Sequence, residues 1–140
     1  MKTKIGSKTN VSETAAHNAR PLRVAVIGSG PAGIYASDAL TKATIPDAKG
    51  DTPIDGVSVD IFERMPAPFG LIRYGVAPDH PRIKGIIKAL HRVLDKPQIR
   101  LFGNVNIGTD LSLDDLKKYY DAVIYATGAT DDRPLPIPGG

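Results

Sequence analysis

The first strongly patterned stretch is Leu22-Arg23-Val24-Ala25-Val26-Ile27, a short β-branched run that ends in a glycine-rich turn. It reads as a buried strand. From Pro31 to about Lys42 the positions Ala32, Tyr35, Ala36, Ala39 and Leu40 recur at helical spacing, and Pro31 suits a first helical turn. Residues 43–56 are rich in Pro, Gly and Asp and predict a loop. Val57-Ser58-Val59-Asp60-Ile61-Phe62 predicts a second strand, giving a βαβ unit with a long connection. Residues 65–81 are punctuated by Pro and Gly and predict irregular chain, ordered by Phe69, Leu71, Ile72, Tyr74 and Val76. A helix follows, with Asp79 as its cap and Pro81 just inside. Its buried stripe is Ile83, Ile86, Ile87, Leu90, Val93 and Leu94, and Pro97 marks its end. Ile99–Phe102 and Val105–Ile107 predict short strands. Ser112 caps a short helix to about Tyr120, with Asp114 and Asp115 at the positive end of its dipole. Ala122–Ala126 predicts a last buried strand, and the Pro-rich 134–140 segment a linker. Strands alternating with helices imply an α/β fold around a parallel sheet, with any ligand at the carboxyl ends of the strands.

Composition narrows the chemistry. A chain of 140 residues with 41% hydrophobic and 24% charged side chains is an ordinary single domain, able to bury a core unaided. It contains no cysteine, so disulfides, thiolate metal sites and dithiol redox chemistry are excluded for its own residues. Any redox role must be carried by a bound cofactor. The net charge of +3 sits in residues 1–20, where Lys2, Lys4, Lys8 and Arg20 face only Glu13. The rest of the chain is balanced, which argues against nucleic acid as a partner. The Ser/Thr/Asn-rich segment 1–20 predicts a disordered basic tail. A mitochondrial presequence is the alternative, disfavoured by low arginine content and the lack of an amphipathic stripe. No apolar run approaches the ~18 residues needed to span a bilayer.

The sharpest motif is Gly28-Ser29-Gly30-Pro31-Ala32-Gly33, placed after a strand and opening a helix. That context is what a dinucleotide-binding turn requires. Gly28 permits the tight turn, Gly30 lets a pyrophosphate approach the backbone, and Gly33 lets helix and strand pack closely. Pro31 fixes the entry geometry, and first-turn amides near Ala32 face the anion. The competing reading is a glycine-rich turn without a ligand. Glu63, at the end of the second strand, is the acid expected to accept hydrogen bonds from ribose hydroxyls. It stands 30 residues beyond Gly33, and the 43–56 loop accounts for that distance. A solvated strand-end glutamate is the bland alternative. These residues alone leave FAD and NAD both open.

The segment Pro68-Phe69-Gly70-Leu71-Ile72-Arg73-Tyr74-Gly75-Val76-Ala77-Pro78-Asp79-His80-Pro81 then resembles the flavin-side loop of adrenodoxin-reductase-type ferredoxin–NADP reductases. Phe102-Gly103-Asn104-Val105 resembles the family's next segment. Tyr125-Ala126-Thr127-Gly128-Ala129, followed by Ile137-Pro138-Gly139, resembles the second glycine motif of flavoproteins with two dinucleotide domains. The resemblance implies a Rossmann-like FAD-binding domain over 21–132, with a linker over 133–140 toward an NADPH domain the chain lacks. The chain is thus expected to be an incomplete, N-terminal fragment. The implied whole enzyme passes electrons from NADPH through FAD to a ferredoxin-like iron–sulfur protein, in the cytoplasm or, in a eukaryote, the mitochondrial matrix. By resemblance Ala32, Glu63, Leu71 and Val105 contact FAD, Gly70 and Gly75 admit the ring or ribityl chain, and Thr127 and Gly128 line the same crevice. Val105 reads equally as core packing, and Thr127-Gly128 as a plain turn. His80 is placed near the flavin, either to donate a proton or merely to order its loop. Arg73 and Lys84 are candidates for the pyrophosphate or an acidic partner, or are surface charges; His17 and His91 receive no role. The alternatives are a flavoprotein like the glutamate synthase small subunit, and a non-catalytic partial flavin-binding module with negligible NADPH turnover.

Overall fold

The computed structural model describes residues 20–43, 56–129 and 136–137. Residues 1–19 of the expected tail over 1–20, most of the 43–56 loop and nearly all of the linker lie outside the described residues. Arg20, grouped above with the tail, is held in place. Its guanidinium donates two hydrogen bonds to Asp121 at 2.7 and 2.8 Å, and Asp121 also accepts the Arg23 amide at 2.8 Å.

Four strands, β1 (Leu22–Ile27), β2 (Val57–Glu63), β3 (Ile99–Gly103) and β4 (Ala122–Tyr125), form one parallel sheet in the order β3-β2-β1-β4. Register runs from Leu22↔Val57 to Ile27↔Phe62 on one side of β1 and from Val24↔Ala122 to Ile27↔Tyr125 on the other. Both faces of the sheet are covered, so β1 and β2 are buried along most of their length whichever way each side chain points. On one face Val24, Val26, Val57, Val59 and Ile61 pack with Ile34 of α1 (Pro31–Lys42) and with Leu90 and Val93 of α4 (Ile87–Leu94). Ile34 is fully buried, which contributes about 1.5–3 kcal/mol. On the other face Ala25, Ile27 and Phe62 meet Leu116 of α5 (Leu113–Tyr119). The chain leaves β1 toward β2 on one side and returns as β4 on the other. The carboxyl ends of β1 and β4 therefore flank a topological switch point, where open α/β sheets bind ligands.

Three expectations need correction. The 65–81 stretch is not wholly irregular, since Leu71–Tyr74 makes one turn of helix, α2. Those four residues carry neither Gly nor Pro, and the Arg73 and Tyr74 amides reach the Gly70 carbonyl, both at 3.0 Å. The next helix is not continuous. It breaks at Ile86 into α3 (Pro81–Gly85) and α4, with His80 rather than Asp79 at the N-cap and no side-chain cap bond. Gly85 is a poor helix residue, and the break takes Ile83 off the buried stripe, leaving it 45% exposed. Val105–Ile107 forms no strand. Asn104 turns at φ 58 directly after β3, and only a bridge from Ile107 to Leu111 remains. The Ser112 cap is present as a reciprocal box with Asp115, each backbone amide donating to the other's side chain at 3.1 Å.

Asp60 is the charged residue of β2's interior, and it is buried. Arg100, its register partner on β3, donates to both carboxylate oxygens at 2.6 and 2.7 Å, and the Tyr120 hydroxyl donates at 2.7 Å. Burial alone would raise the Asp60 pKa. The Arg100 and Tyr120 hydrogen bonds, with the charges of Arg100 and Arg23, outweigh it and hold the carboxyl below its ordinary range. Burial and Asp60 together push the Tyr120 hydroxyl up to about 12. Asp121 is drawn down to about 2, first by its hydrogen bond from Arg20. Asp115 is likewise drawn down to about 2, first by Ser112.

Each of these carboxyls is more acidic folded than unfolded, so below the ordinary carboxyl range the unfolded chain binds more protons. Their stabilisation is present in full above about pH 5 and is lost as pH falls toward about 2. The melting temperature is expected to decline steadily through that window. A flat profile between those limits would show that the carboxylate contacts do not contribute.

Candidate functional site

Both walls of the cleft at the switch point begin in the turn after β1. Gly28 sits at φ 106, a conformation that favours glycine, and its amide donates to the Phe62 carbonyl at 2.8 Å. A Cβ there would lie 2.4 Å from the Ala126 carbonyl oxygen, so β4's exit runs directly against the turn. Gly30 is the N-cap of α1 and caps nothing with a side chain. Its backbone is extended at φ −69 and ψ 177, and a Cβ there would meet nothing within 4 Å. The space beside Gly30 is thus the open cleft itself. The first-turn amides of α1 have no helical carbonyl to serve and carry the positive end of its dipole. An anionic group can therefore approach this backbone as closely as a phosphate requires. Gly33 serves packing instead. Its Cβ would fall 2.0 Å from the Gly28 carbonyl oxygen, and the residue lies under the turn, outside the cleft lining.

Glu63 ends β2 and is buried. Its Oε2 accepts both the amide and the hydroxyl of Ser29, at 2.9 and 2.7 Å, and its Oε1 accepts the Met65 amide at 2.9 Å. Burial would raise its pKa. The Met65 and Ser29 hydrogen bonds, with Arg64's charge, prevail and keep it below the ordinary value, so the group is a carboxylate near neutral pH. With about four acceptor positions on the carboxylate, three are taken within the protein. The remaining one, on Oε1, is what the group can offer to a hydroxyl in the cleft.

The loop after β2 closes the opposite wall. Phe69 is fully buried at φ 90, with its amide on the Ser29 carbonyl at 3.0 Å. The His91 ring meets it edge-on at 4.7 Å, and the Arg73 guanidinium lies 5.2 Å from its centroid. A non-glycine residue at such a φ costs about 1–3 kcal/mol. That cost is met by burial of the ring and by hydrogen bonds along the loop. Gly70, at φ 48, brings its backbone against Gly30, where a Cβ would sit 3.1 Å from the Gly30 Cα. Beyond it Leu71 is 62% exposed and faces the cleft with Tyr74 and Tyr125.

The cleft has a volume of about 530 Å³, within the usual range for small-molecule sites. It brings together Gly28, Gly30, Pro31, Ala32, Glu63, Gly70, Leu71, Val105, Thr127 and Gly128. Five residues singled out in the sequence are elsewhere. Gly33 underlies the turn, and His80 is exposed beside Asp79, its Nδ1 at 2.8 Å from Oδ1. Gly75 packs on Leu71 rather than on the cleft, because a Cβ there would lie 2.8 Å from the Leu71 side chain. Arg73 donates to the Pro68 carbonyl at 2.9 Å, so it fastens its own loop. Lys84 does not line the cleft. The structure adds Arg64, Met65, Tyr74, Asn106 and Tyr125 to the lining. Tyr125 and Arg64 stand at or just past strand carboxyl ends, a position that could have flagged them.

Comparison with known proteins decides the family. An NADPH-ferredoxin reductase, FprA, of Mycobacterium tuberculosis is 46% identical over 121 residues, covering 86% of this chain and 25% of the relative. This chain belongs to the adrenodoxin-reductase-type ferredoxin–NADP reductase family. The mitochondrial NADPH:adrenodoxin oxidoreductases of Arabidopsis thaliana and Homo sapiens are 45% and 41% identical over 87% and 84% of the chain, and 23% and 22% of their own lengths. The structure of M. tuberculosis FprA in complex with NADPH matches with a TM-score of 0.73 at 46% identity, again over 86% of this chain and 25% of that one. No family model matches the chain. The chain therefore spans about a quarter of the length of the curated relatives it matches. Among the described residues no helix is long and apolar enough to cross a membrane.

Proposed function

We propose that the cleft binds FAD and that residues 21–132 form the FAD-binding part of an NADPH-dependent oxidoreductase. That enzyme would pass electrons from NADPH to a ferredoxin- or adrenodoxin-like iron–sulfur protein. The observation that carries this reading is the open space at Gly30, at the head of α1, in a cleft that Gly70 and Leu71 also line. Gly30 and Ala32 would present backbone N–H groups to the pyrophosphate, Gly28 and Pro31 would shape the turn that lets it approach, and Gly33 would hold α1 beneath them. Glu63 would accept from a ribose hydroxyl at its remaining Oε1 position. Gly70, Leu71 and Val105 offer an apolar surface to a flat ring, and Thr127 and Gly128 close the far side. When bound there, FAD supplies the exchange between two-electron and one-electron carriers. The chain's own residues orient it, exclude water and set the charge around it. His80 is no part of this proposal, because its imidazole is exposed beside Asp79. NADPH and the electron acceptor are named for the relatives. We extend them to the whole protein of which this chain is a homologous part. The chain reads as a protein of the cytoplasm or mitochondrial matrix, the latter favoured by the relatives named mitochondrial.

The test is an absorbance spectrum of the purified protein, with and without added FAD. A resolved flavin band that stays with the protein through gel filtration is expected. Folded protein that remains colourless in excess FAD would end the proposal.

A further inference from the structure

Ser29 lies in the turn after β1 and ties it both to the end of β2 and to the loop that follows. Its side chain is fully buried. Its hydroxyl and amide both donate to Glu63 Oε2, and its carbonyl accepts the Phe69 amide at 3.0 Å. Glu63 in turn accepts the Val105 amide at its backbone carbonyl, at 2.9 Å, and the Met65 amide at its side chain. Four segments, at 28–33, 63–65, 69–71 and 104–107, are thus joined through these two residues.

We infer that Ser29 is a positioning residue that fixes the carboxylate of Glu63, and so gives the cleft its preference for an adenosine-bearing dinucleotide over a flavin mononucleotide. A glutamate side chain has three torsions and would otherwise sample several staggered states. Two convergent donors on Oε2 and one on Oε1 select a single state and leave one acceptor position for the ligand. Without the hydroxyl, Oε2 keeps only the Ser29 amide, and the carboxylate is free to turn its unfilled position away from the cleft. The lost bond is one to a charged acceptor, the stronger kind of hydrogen bond. FMN carries the isoalloxazine, the ribityl chain and one phosphate but no second ribose, so it makes no demand on Glu63. This inference rests on the FAD reading above.

The experiment measures FAD and FMN affinities by quenching of flavin fluorescence, with FMN titrated to millimolar concentrations. The proteins are wild type, Ser29→Ala, Glu63→Gln and the double variant, with Ser29→Gly as a second removal of the hydroxyl should Ser29→Ala not fold. Loss of the hydroxyl is expected to weaken FAD about tenfold and to leave FMN within about twofold. In the Glu63→Gln background the same change should cost FAD less than about twofold, because the group through which Ser29 acts is already altered. An equal loss for FAD and FMN would show that Ser29 merely supports the turn and would overturn the inference. So would an undiminished effect in the Glu63→Gln background. Wild-type protein that is folded and binds neither flavin would instead overturn the FAD reading itself, and the inference with it.

Discussion

Gly33→Ala is expected to destabilise this fold by on the order of 4 kcal/mol, among the largest effects a single methyl group can have. The added Cβ would lie 2.0 Å from the Gly28 carbonyl oxygen and 3.3 Å from a Val26 methyl. The oxygen belongs to backbone that cannot give way. Gly28 is held at φ 106 with its amide on Phe62, and on its other side the Ala126 carbonyl is already in close contact. Relief therefore requires α1 to move outward by an ångström or more. That movement would lift Ile34 out of the core and break the turn that precedes the helix. Since small domains hold only about 5–15 kcal/mol in total, the melting temperature should fall by roughly 20 °C. Thermal unfolding followed by circular dichroism measures it. Gly85→Ala is the control: a Cβ there meets nothing within 4 Å, and alanine favours helix by about 0.5–1 kcal/mol. A Gly33→Ala protein that melts within a degree or two of wild type would mean that α1 does not lie on the turn as described.

The elements legible from the sequence are those whose residues answer to local periodicity or to a fixed local motif. β1 and β2 are rich in β-branched apolar residues, α1 has its proline at the start, and Ser112 is a strong cap residue, so each element appears where expected. The departures arise where distant partners decide. Within 81–94 Gly85 is the one local sign of a break, and it does not reveal which stripe residues turn inward: Leu90 and Val93 do so because α4 packs on α1 and β3. Val105 and Ile107 carry strand-forming side chains, but Asn104 at positive φ takes the backbone away from the sheet. The cleft was legible in its glycines because their spacing encodes backbone geometry. What Glu63 does with its lone pairs was not, since Ser29 and Met65 reach it only after folding. His80 shows the reverse limit. Resemblance placed it beside the flavin, whereas its imidazole is exposed against Asp79. In the sequence Asp60 is one polar position within the second strand. Only the register that sets it opposite Arg100 makes it the centre of a buried charge cluster.

Gly30→Val is expected to do the opposite of Gly33→Ala, abolishing ligand binding while leaving the fold intact. The two glycines stand one turn apart in the same motif, but their missing side chains face different things. At Gly33 the absent Cβ faces backbone; at Gly30 it faces the cleft. The Gly30 backbone, at φ −69 and ψ 177, lies in a region that valine readily adopts. Valine restricts the unfolded chain, which stabilises by about 0.4–1 kcal/mol, and it is a poorer N-cap than glycine, which offsets that gain. The melting temperature should therefore stay within a few degrees of wild type. The isopropyl group, however, would occupy the position through which a pyrophosphate must come to reach the first-turn amides of α1. Holding the phosphates even an ångström or two farther away forfeits their short hydrogen bonds, and steric overlap adds to the loss. An affinity reduction of at least about 100-fold is expected, equivalent to about 2.7 kcal/mol. Flavin absorbance after gel filtration and FAD titration by fluorescence both read it. A Gly30→Val protein that is folded and holds FAD as tightly as wild type would move the phosphates away from this helix, and with them the whole placement of the cofactor. Folded Gly30→Val protein without flavin, beside a Gly33→Ala protein with a much lower melting temperature, would separate the glycine that makes room for the ligand from the one that makes room for the fold.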